Sequence, residues 1–183
     1  ILIHYYFQSL DEELSFSSLG LMFSDNKNFI STKKLIWIYG IASGMAFLHS
    51  HNILHRDLKL SNIFIDDNDF PRISGFDISI QMEKDTNYKS DKIKGTPAYL
   101  APEVYLNNEY SKASDVYSFS LVMYEILSGD IAYEELNSPQ DIKTFICEQN
   151  GRPTFSTPIN ESYRNLIERC WSRESTARPT FDE

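Results

Sequence analysis

Reactive side chains are densest in the stretch His55-Arg56-Asp57-Leu58-Lys59-Leu60-Ser61-Asn62. The surrounding pattern places this stretch in a loop between a helix and a strand, where functional groups usually lie. Asp57 can accept a proton, Lys59 can neutralise a phosphate and Asn62 can offer an oxygen to a hard cation. A capped, charged turn would explain any three of these residues, but the complete spacing favours a functional loop.

Helical patterns surround this loop. Apolar residues recur at helical spacing from Ser31, a predicted N-cap, to about Ser50. Residues 114–127 are apolar on nearly every face, which predicts a buried central helix that ends at Gly129. The remaining predicted elements are helices at residues 10–19, 138–148 and 162–171, strands at 1–7, 63–65 and about 72–73, and a long polar, mobile loop at 81–98.

Composition narrows the class of protein. With 183 residues, 42% of them hydrophobic and 23% charged, the chain has the size and balance of one globular domain with a real core. Its net charge of −9 argues against a nucleic-acid surface, and no apolar stretch approaches the length of a membrane span. Cys147 and Cys170 form neither a disulfide framework nor a close metal-ligand pair, which favours a cytoplasmic location.

Three further motifs follow the reactive stretch. They are Gly95-Thr96-Pro97-Ala98-Tyr99-Leu100-Ala101-Pro102-Glu103, Ser114-Asp115-Val116-Tyr117-Ser118-Phe119-Ser120, and Cys170-Trp171 with Ala177-Arg178-Pro179-Thr180-Phe181. In this order, and with the H-R-D-L-x-x-x-N run of residues 55–62, they resemble the eukaryotic-type protein kinases over almost the whole chain. The residues 98–100 and 178–181 are similar to those of the tyrosine-kinase-like group. Lys59, directly after the H-R-D-L run, resembles the Ser/Thr-specific form.

The resemblance implies an α+β, protein-kinase-like fold. Residues 1–183 would be a partial kinase domain, mainly the α-helical C-lobe with short β-strands at the cleft, running from about the hinge strand to the penultimate helix. Residues 1–9 would form the hinge region and residues 75–103 the activation segment. The N-lobe would be largely absent, since the seven glycines contain no G-x-G pair and no V-A-I-K-like strand is present.

The resemblance also assigns catalytic roles. Asp57 would be the catalytic base that takes the proton of the substrate hydroxyl, and Asn62 would ligate magnesium. Lys59 would lie near the transferring phosphate, and Thr96 would lie beside the substrate hydroxyl. Arg56 would pair with a phosphate on the activation segment.

Further residues receive binding or structural roles from the resemblance. His55 and Phe76 would stack in the hydrophobic spine, and Asp115 would anchor the backbone of the catalytic loop. Glu103 and Arg178 would form a buried ion pair. Phe64 would lie under the adenine ring, with Tyr5, Tyr6 and Phe7 as the hinge. The candidate phosphosites are Thr86, Tyr88 and Ser90, with a solvated loop hydroxyl as the alternative for each.

One departure from the family pattern bears on metal binding. Residues 75–77 read Gly-Phe-Asp, the reverse of the D-F-G motif. Gly75 has no carboxylate, and Asp77 lies two residues further on. Magnesium demands near-octahedral oxygen geometry, so Asp77 replaces the missing ligand only through a bridging water or a loop rearrangement. Loss of the metal would slow transfer by ~10³-fold or more. Alternatively, Gly75 relaxes a loop that holds no metal.

Three hypotheses for function stay open on the sequence. The first is a Ser/Thr protein kinase that uses ATP and Mg²⁺, impaired by the change at Gly75. The second is a pseudokinase that serves as a nucleotide- or protein-binding scaffold. The third is a truncated gene product without a stable fold. The first two predict a protein substrate or signalling partner, and neither predicts a nucleic acid or a membrane within this segment.

Overall fold

The computed structural model of the chain describes residues 17–25, 31–83 and 86–183. The predicted strand at 1–7, the hinge region 1–9 with Tyr5, Tyr6 and Phe7, and most of the predicted helix at 10–19 lie outside these residues. Within the described ranges, the helices lie beside several short antiparallel strand pairs. The predicted α+β class is confirmed.

The helices account for most of the regular structure. They are α1 (Leu19–Asp25), α2 (Ser31–Ser50), α3 (Pro102–Asn107), α4 (Lys112–Ser128), α5 (Pro139–Cys147) and α6 (Glu161–Cys170). The bounds predicted for α2, α4, α5 and α6 are correct to within two residues. The prediction for residues 10–19 is wrong at its end, because Ser17–Ser18 form a strand and α1 begins at Leu19. Neither α1 nor α3 is predicted from the sequence.

Helix α4 lies at the centre of the core. A capping box starts it, in which Ser111 and Ser114 each accept a hydrogen bond from the backbone N–H of the other. Gly129 ends it with a φ of 79°, a left-handed conformation that glycine adopts without strain. Every residue from 114 to 126 is buried, and the helix packs against both α2 and α6. Burial on all faces explains why this segment is apolar on nearly every face.

The strands are two or three residues long. They are β1 (Ser17–Ser18), β2 (Ile53–Leu54), β3 (Ile63–Ile65), β4 (Pro71–Ile73), β5 (Ile80–Gln81), β6 (Tyr88–Lys89) and β7 (Glu109–Tyr110). Three antiparallel groups result, β1-β3-β4, β2-β5 and β6-β7. The predicted strands at 63–65 and 72–73 are confirmed. Since β3 follows residues 55–62 directly, the β3-β4 hairpin holds one end of the reactive loop.

Residues 81–98 differ in part from the predicted aperiodic loop. Tyr88 and Lys89 form β6, which pairs with β7 so that Tyr88 lies opposite Tyr110 and Lys89 opposite Glu109. A single 3₁₀ turn covers Pro97–Tyr99. The pairing joins residues about 20 positions apart, so no local periodicity predicts it. In the described part of the chain, no helix has the length and apolar character needed to cross a membrane.

Candidate active site

Asp115, in the first turn of α4, holds the backbone of the reactive loop. Its two carboxylate oxygens accept hydrogen bonds from the N–H groups of His55 and Arg56, each at 2.9 Å. The ring of His49 on α2 lies 3.0 Å from the same carboxylate. Asp115 is only 1% exposed, so these are charge-assisted bonds in a dry environment. The central helix α4 therefore sets the position of the reactive loop, residues 55–62.

His55 connects the reactive loop to residues 74–76. Its Nδ1 accepts from the N–H of Asp57 at 3.2 Å, so its Nε2 is the protonated nitrogen that donates to the Ser74 carbonyl at 2.8 Å. Burial lowers the pKa of His55, which keeps the ring in this neutral form. The ring of Phe76 lies 5.1 Å from that of His55, centroid to centroid. The two predicted spine residues thus pack against each other, with their ring planes inclined by 57°.

The carboxylate of Asp57 lies at the centre of a polar network. Oδ1 accepts from the backbone N–H of Thr96 at 2.9 Å and from its hydroxyl at 2.7 Å. Oδ2 lies 3.0 Å from the ammonium of Lys59 and 3.2 Å from Nδ2 of Asn62. Lys59 also donates to the hydroxyl of Thr96 at 2.7 Å. Four residues predicted from the resemblance, two of them almost 40 positions apart, therefore converge on one point.

The magnesium ligands are less complete. Asn62 directs Nδ2 to the backbone carbonyl of Asp57 at 2.7 Å as well as to its carboxylate. Gly75, which the resemblance aligns with the metal-binding aspartate, lies against Asn62 and offers no side-chain oxygen. Asp77 is exposed, in the 3₁₀ turn Phe76–Ile78. Among the described residues no group of three or more His, Cys, Asp or Glu side chains is placed to hold a metal. These residues do not fit the expected magnesium site.

Arg56 has an unusual environment for an arginine. Its backbone is left-handed, with a φ of 71°, and its side chain is buried, with 5% exposed. Nη1 donates to the carbonyl of Ile78 at 3.0 Å, while Nε and Nη2 have no hydrogen-bond partner within the described ranges. Its guanidinium carbon lies 4.2 Å from the ring centroid of Tyr110 and 5.0 Å from that of Tyr88. The guanidinium therefore meets aromatic faces where the resemblance places a phosphate.

Glu103 and Arg178 form a bidentate ion pair below the site. Nη1 and Nη2 of Arg178 lie 2.6 and 2.9 Å from the two carboxylate oxygens of Glu103. The guanidinium also donates to the carbonyls of Ser172 and Ala113, each at 2.9 Å. The pair joins the beginning of α3 to the segment after α6.

Phe64 lies on β3, half-buried and paired with Ser18 and Arg72.

Sequence reasoning missed two polar residues that support the site. Glu125 is the one acid in the otherwise apolar run 121–127 of α4, and its carboxylate accepts from the hydroxyl of Tyr99 at 2.7 Å and from the N–H of Ala132 at 3.0 Å. Burial raises the pKa of Glu125 to about 7. An acid within an apolar run of seven residues was the available signal. Tyr110 is the other residue, and its hydroxyl bridges the N–H and the carbonyl of Lys94, both at 2.7 Å.

Comparison with protein families agrees with this geometry. Residues 7–183 match the family model for protein tyrosine and serine/threonine kinases. The chain belongs to the protein kinase family. The match covers nearly the whole sequence, so the kinase-like fold predicted from four motifs is confirmed.

Several curated kinases resemble the chain. A dual specificity protein kinase, shkC of Dictyostelium discoideum, is 37% identical over 78% of this chain. Mitogen-activated protein kinase kinase kinase 12 of Rattus norvegicus is 37% identical over 79% of it. The serine/threonine-protein kinase STY46 of Arabidopsis thaliana is 33% identical over 78%. The matched regions span only 29%, 16% and 24% of these three relatives.

Proposed function

We propose that this kinase-family chain transfers the γ-phosphoryl group of ATP to Ser or Thr hydroxyls of protein substrates. The observation that carries the proposal is the meeting of Asp57, Lys59 and Thr96. Asp57 Oδ1 and Lys59 Nζ each lie 2.7 Å from the hydroxyl oxygen of Thr96. A base and a cation thus already share one hydroxyl group. The names of the Ser/Thr and dual specificity relatives support the same substrate class.

In this proposal each group has one chemical task. Asp57 accepts the proton of the incoming hydroxyl, as a carboxylate within hydrogen-bond reach of a hydroxyl can. The ammonium of Lys59 offsets negative charge on the transferring phosphoryl oxygens. Thr96 orients the incoming group through its own hydroxyl. Asp115 takes no part in the chemistry but keeps the loop in place through the backbone of His55 and Arg56.

Magnesium binding is the weak part of the site. The protein kinase family uses ATP with Mg²⁺, but Gly75 supplies no carboxylate and Asp77 is exposed. We therefore propose that transfer is slow, and no step of the mechanism above depends on a bound metal. The cytoplasm is the proposed location, because Cys147 and Cys170 are both free, buried thiols.

A phosphate-transfer assay on the complete protein tests the proposal. Asp57→Asn removes the base and keeps the shape, and we expect it to reduce transfer by about 10²- to 10⁴-fold. Asp67→Asn, an exposed acid in the turn after β3, is the matched control and should leave transfer unchanged. Transfer that survives Asp57→Asn would point to another enzyme in the preparation or to another mechanism.

A scaffold without catalysis is the second candidate, and the observation that favours it is Gly75. In that case the complete protein binds ATP or a partner protein but transfers no phosphate with any divalent metal. Thermal unfolding with ATP, with and without Mg²⁺, separates binding from transfer. For a scaffold, we expect ATP to cause at most a shift in melting temperature that is the same with and without Mg²⁺.

A further inference from the structure

The environment of Arg56 carries an inference beyond the proposed function. Arg56 immediately precedes Asp57, and its guanidinium lies over Tyr88 and Tyr110, which face each other across the β6-β7 pair. Directly opposed side chains of an antiparallel pair project to the same face. Two rings from different parts of the chain therefore form one aromatic surface against a single cation.

Cation–π attraction explains how this arginine tolerates burial. Nε and Nη2 are buried with no hydrogen-bond partner in the described residues, and an unpaired buried charge is ordinarily costly. Both ring centroids lie within 6 Å of the guanidinium carbon, the range in which the ring quadrupole attracts a cation. The attraction is stronger in a dry site than in water, and Arg56 is only 5% exposed.

The contacts of Tyr110 link the activation segment to the reactive loop in a closed circuit. The hydroxyl of Tyr110 bonds both backbone groups of Lys94, and two residues later Thr96 bonds the carboxylate of Asp57. Asp57 directly follows Arg56 in the chain. The guanidinium of Arg56 lies over the aromatic ring of Tyr110, which completes the circuit. Whatever holds Arg56 in place therefore also holds the activation segment against the reactive loop.

We propose that Tyr88 and Tyr110 act as positioning residues that clamp Arg56, so that residues 86–96 dock on the reactive loop without a phosphate. The clamp takes the place of the phosphate that the resemblance predicts on the activation segment, for which Thr86, Tyr88 and Ser90 are the candidate sites. Ser90 is only 8% exposed and its hydroxyl donates to the Lys92 carbonyl, so the docked segment already uses this group. The inference concerns docking alone and does not depend on phosphoryl transfer.

Hydrogen exchange of the complete, phosphatase-treated protein tests the clamp. Tyr88→Leu removes the ring, whereas Tyr88→Phe keeps it and removes only the hydroxyl. We expect exchange in residues 86–96 to be about tenfold faster in Tyr88→Leu and unchanged in Tyr88→Phe. Tyr39→Leu, which removes a 77% exposed ring on α2, is the matched control and should change nothing in this segment.

Three results would overturn the clamp. The first is equal protection of residues 86–96 in Tyr88→Leu and the unmodified protein. The second is equal loss in Tyr88→Phe and Tyr88→Leu. The third is loss of protection on phosphatase treatment, which would mean that a phosphate does the holding. Exchange of residues 116–126 in α4 serves as the internal reference for global unfolding.

A second variant decides the case in which Tyr88→Leu loosens α4 as well. Arg56→Met removes the cation and retains a long apolar side chain. The clamp predicts faster exchange in residues 86–96 for Arg56→Met and no further increase when Tyr88→Leu is added, because both changes remove the same contact. Independent, additive effects of the two substitutions would contradict the clamp. Phosphate transfer is not read in any arm, so failure here leaves the proposed function standing.

Discussion

Gly75 lies directly against the side-chain amide of Asn62, with its backbone in the left-handed region at a φ of 78°. A Cβ atom at this position would overlap Nδ2 and Cγ of Asn62. Asn62 can give way only by turning its amide from the backbone carbonyl of Asp57, to which it now donates at 2.7 Å. The missing carboxylate and the present orientation of Asn62 are therefore linked.

Restoring the carboxylate should restore dependence on magnesium. In Gly75→Asp with Asp77→Gly we expect ATP to raise the melting temperature only with Mg²⁺ present, and transfer to increase by about 10³-fold, since metal charge supplies several kcal/mol. Gly75→Ala with Asp77→Gly is the matched control. It meets Asn62 in the same way and carries a similar left-handed strain of about 1 kcal/mol, without adding an oxygen. Equal responses to Mg²⁺ in both variants would contradict the role given to Gly75.

Replacement of Asp115 should destabilise the lobe and the reactive loop together. Asp115→Asn retains one acceptor oxygen and sets an N–H₂ group against a backbone N–H of His55 or Arg56. We expect a loss of about 1.5–3 kcal/mol in the free energy of unfolding, the range for hydrogen bonds to a charged group. Urea denaturation measures it. Asp141→Asn, at an exposed helix start where Ser138 donates to the carboxylate, should cost less than about 1 kcal/mol. Similar losses in both variants would rule out a special role for Asp115.

Breaking the buried ion pair of Arg178 with Glu103 should cost more stability than breaking an exposed ion pair. The side chain of Arg178 is 0% exposed, so Arg178→Met leaves the carboxylate of Glu103 without its partner, and we expect a loss of about 3–5 kcal/mol. Arg169 and Glu183 form an exposed pair at 3.5 Å, and Arg169→Met should cost at most about 1 kcal/mol. Chemical denaturation of both variants gives the comparison. A loss at Arg178 as small as that at Arg169 would contradict the prediction.

Glu125 should make stability fall as the pH rises. Burial raises the pKa of its carboxyl group to about 7 in the folded protein from a usual value of 4.5. A pKa raised by folding adds stability that is fully present below pH 4.5 and is lost as the pH rises through 7. The total change is up to about 3 kcal/mol. The Tyr99 hydroxyl and the Ala132 N–H offset part of the cost of the ionised form.

Glu125→Gln removes this titration and keeps a side chain of similar shape. The difference in unfolding free energy between the unmodified protein and Glu125→Gln, measured from pH 4.5 to 8, should fall steadily with pH. The difference for Glu168→Gln, an exposed acid on α6, should stay flat. A flat difference for Glu125→Gln as well would mean that the carboxyl group titrates near its usual value.

Much of the lobe follows from the order of residues alone. The apolar run at 114–127 and the stop at Gly129 predict α4, because a helix buried on all faces needs apolar residues on all faces. The spacing of His55, Asp57, Lys59 and Asn62 predicts a reactive loop, since these side chains lie within eight consecutive positions. The reversed order at residues 75–77 is also plain in the sequence, and it predicts a disturbed metal site without any knowledge of geometry.

Tertiary structure decided what local pattern could not encode. The meeting of Thr96 with Asp57 and the hold of Asp115 on His55 join residues 39 and 60 positions apart. The aromatic clamp on Arg56 depends on the pairing of β6 with β7, two strands too short to have a periodicity of their own. The raised pKa of Glu125 likewise comes from its burial in the folded chain. Desolvation and long-range contact arise only when distant segments pack together, so they belong to the folded chain rather than to any one stretch of it.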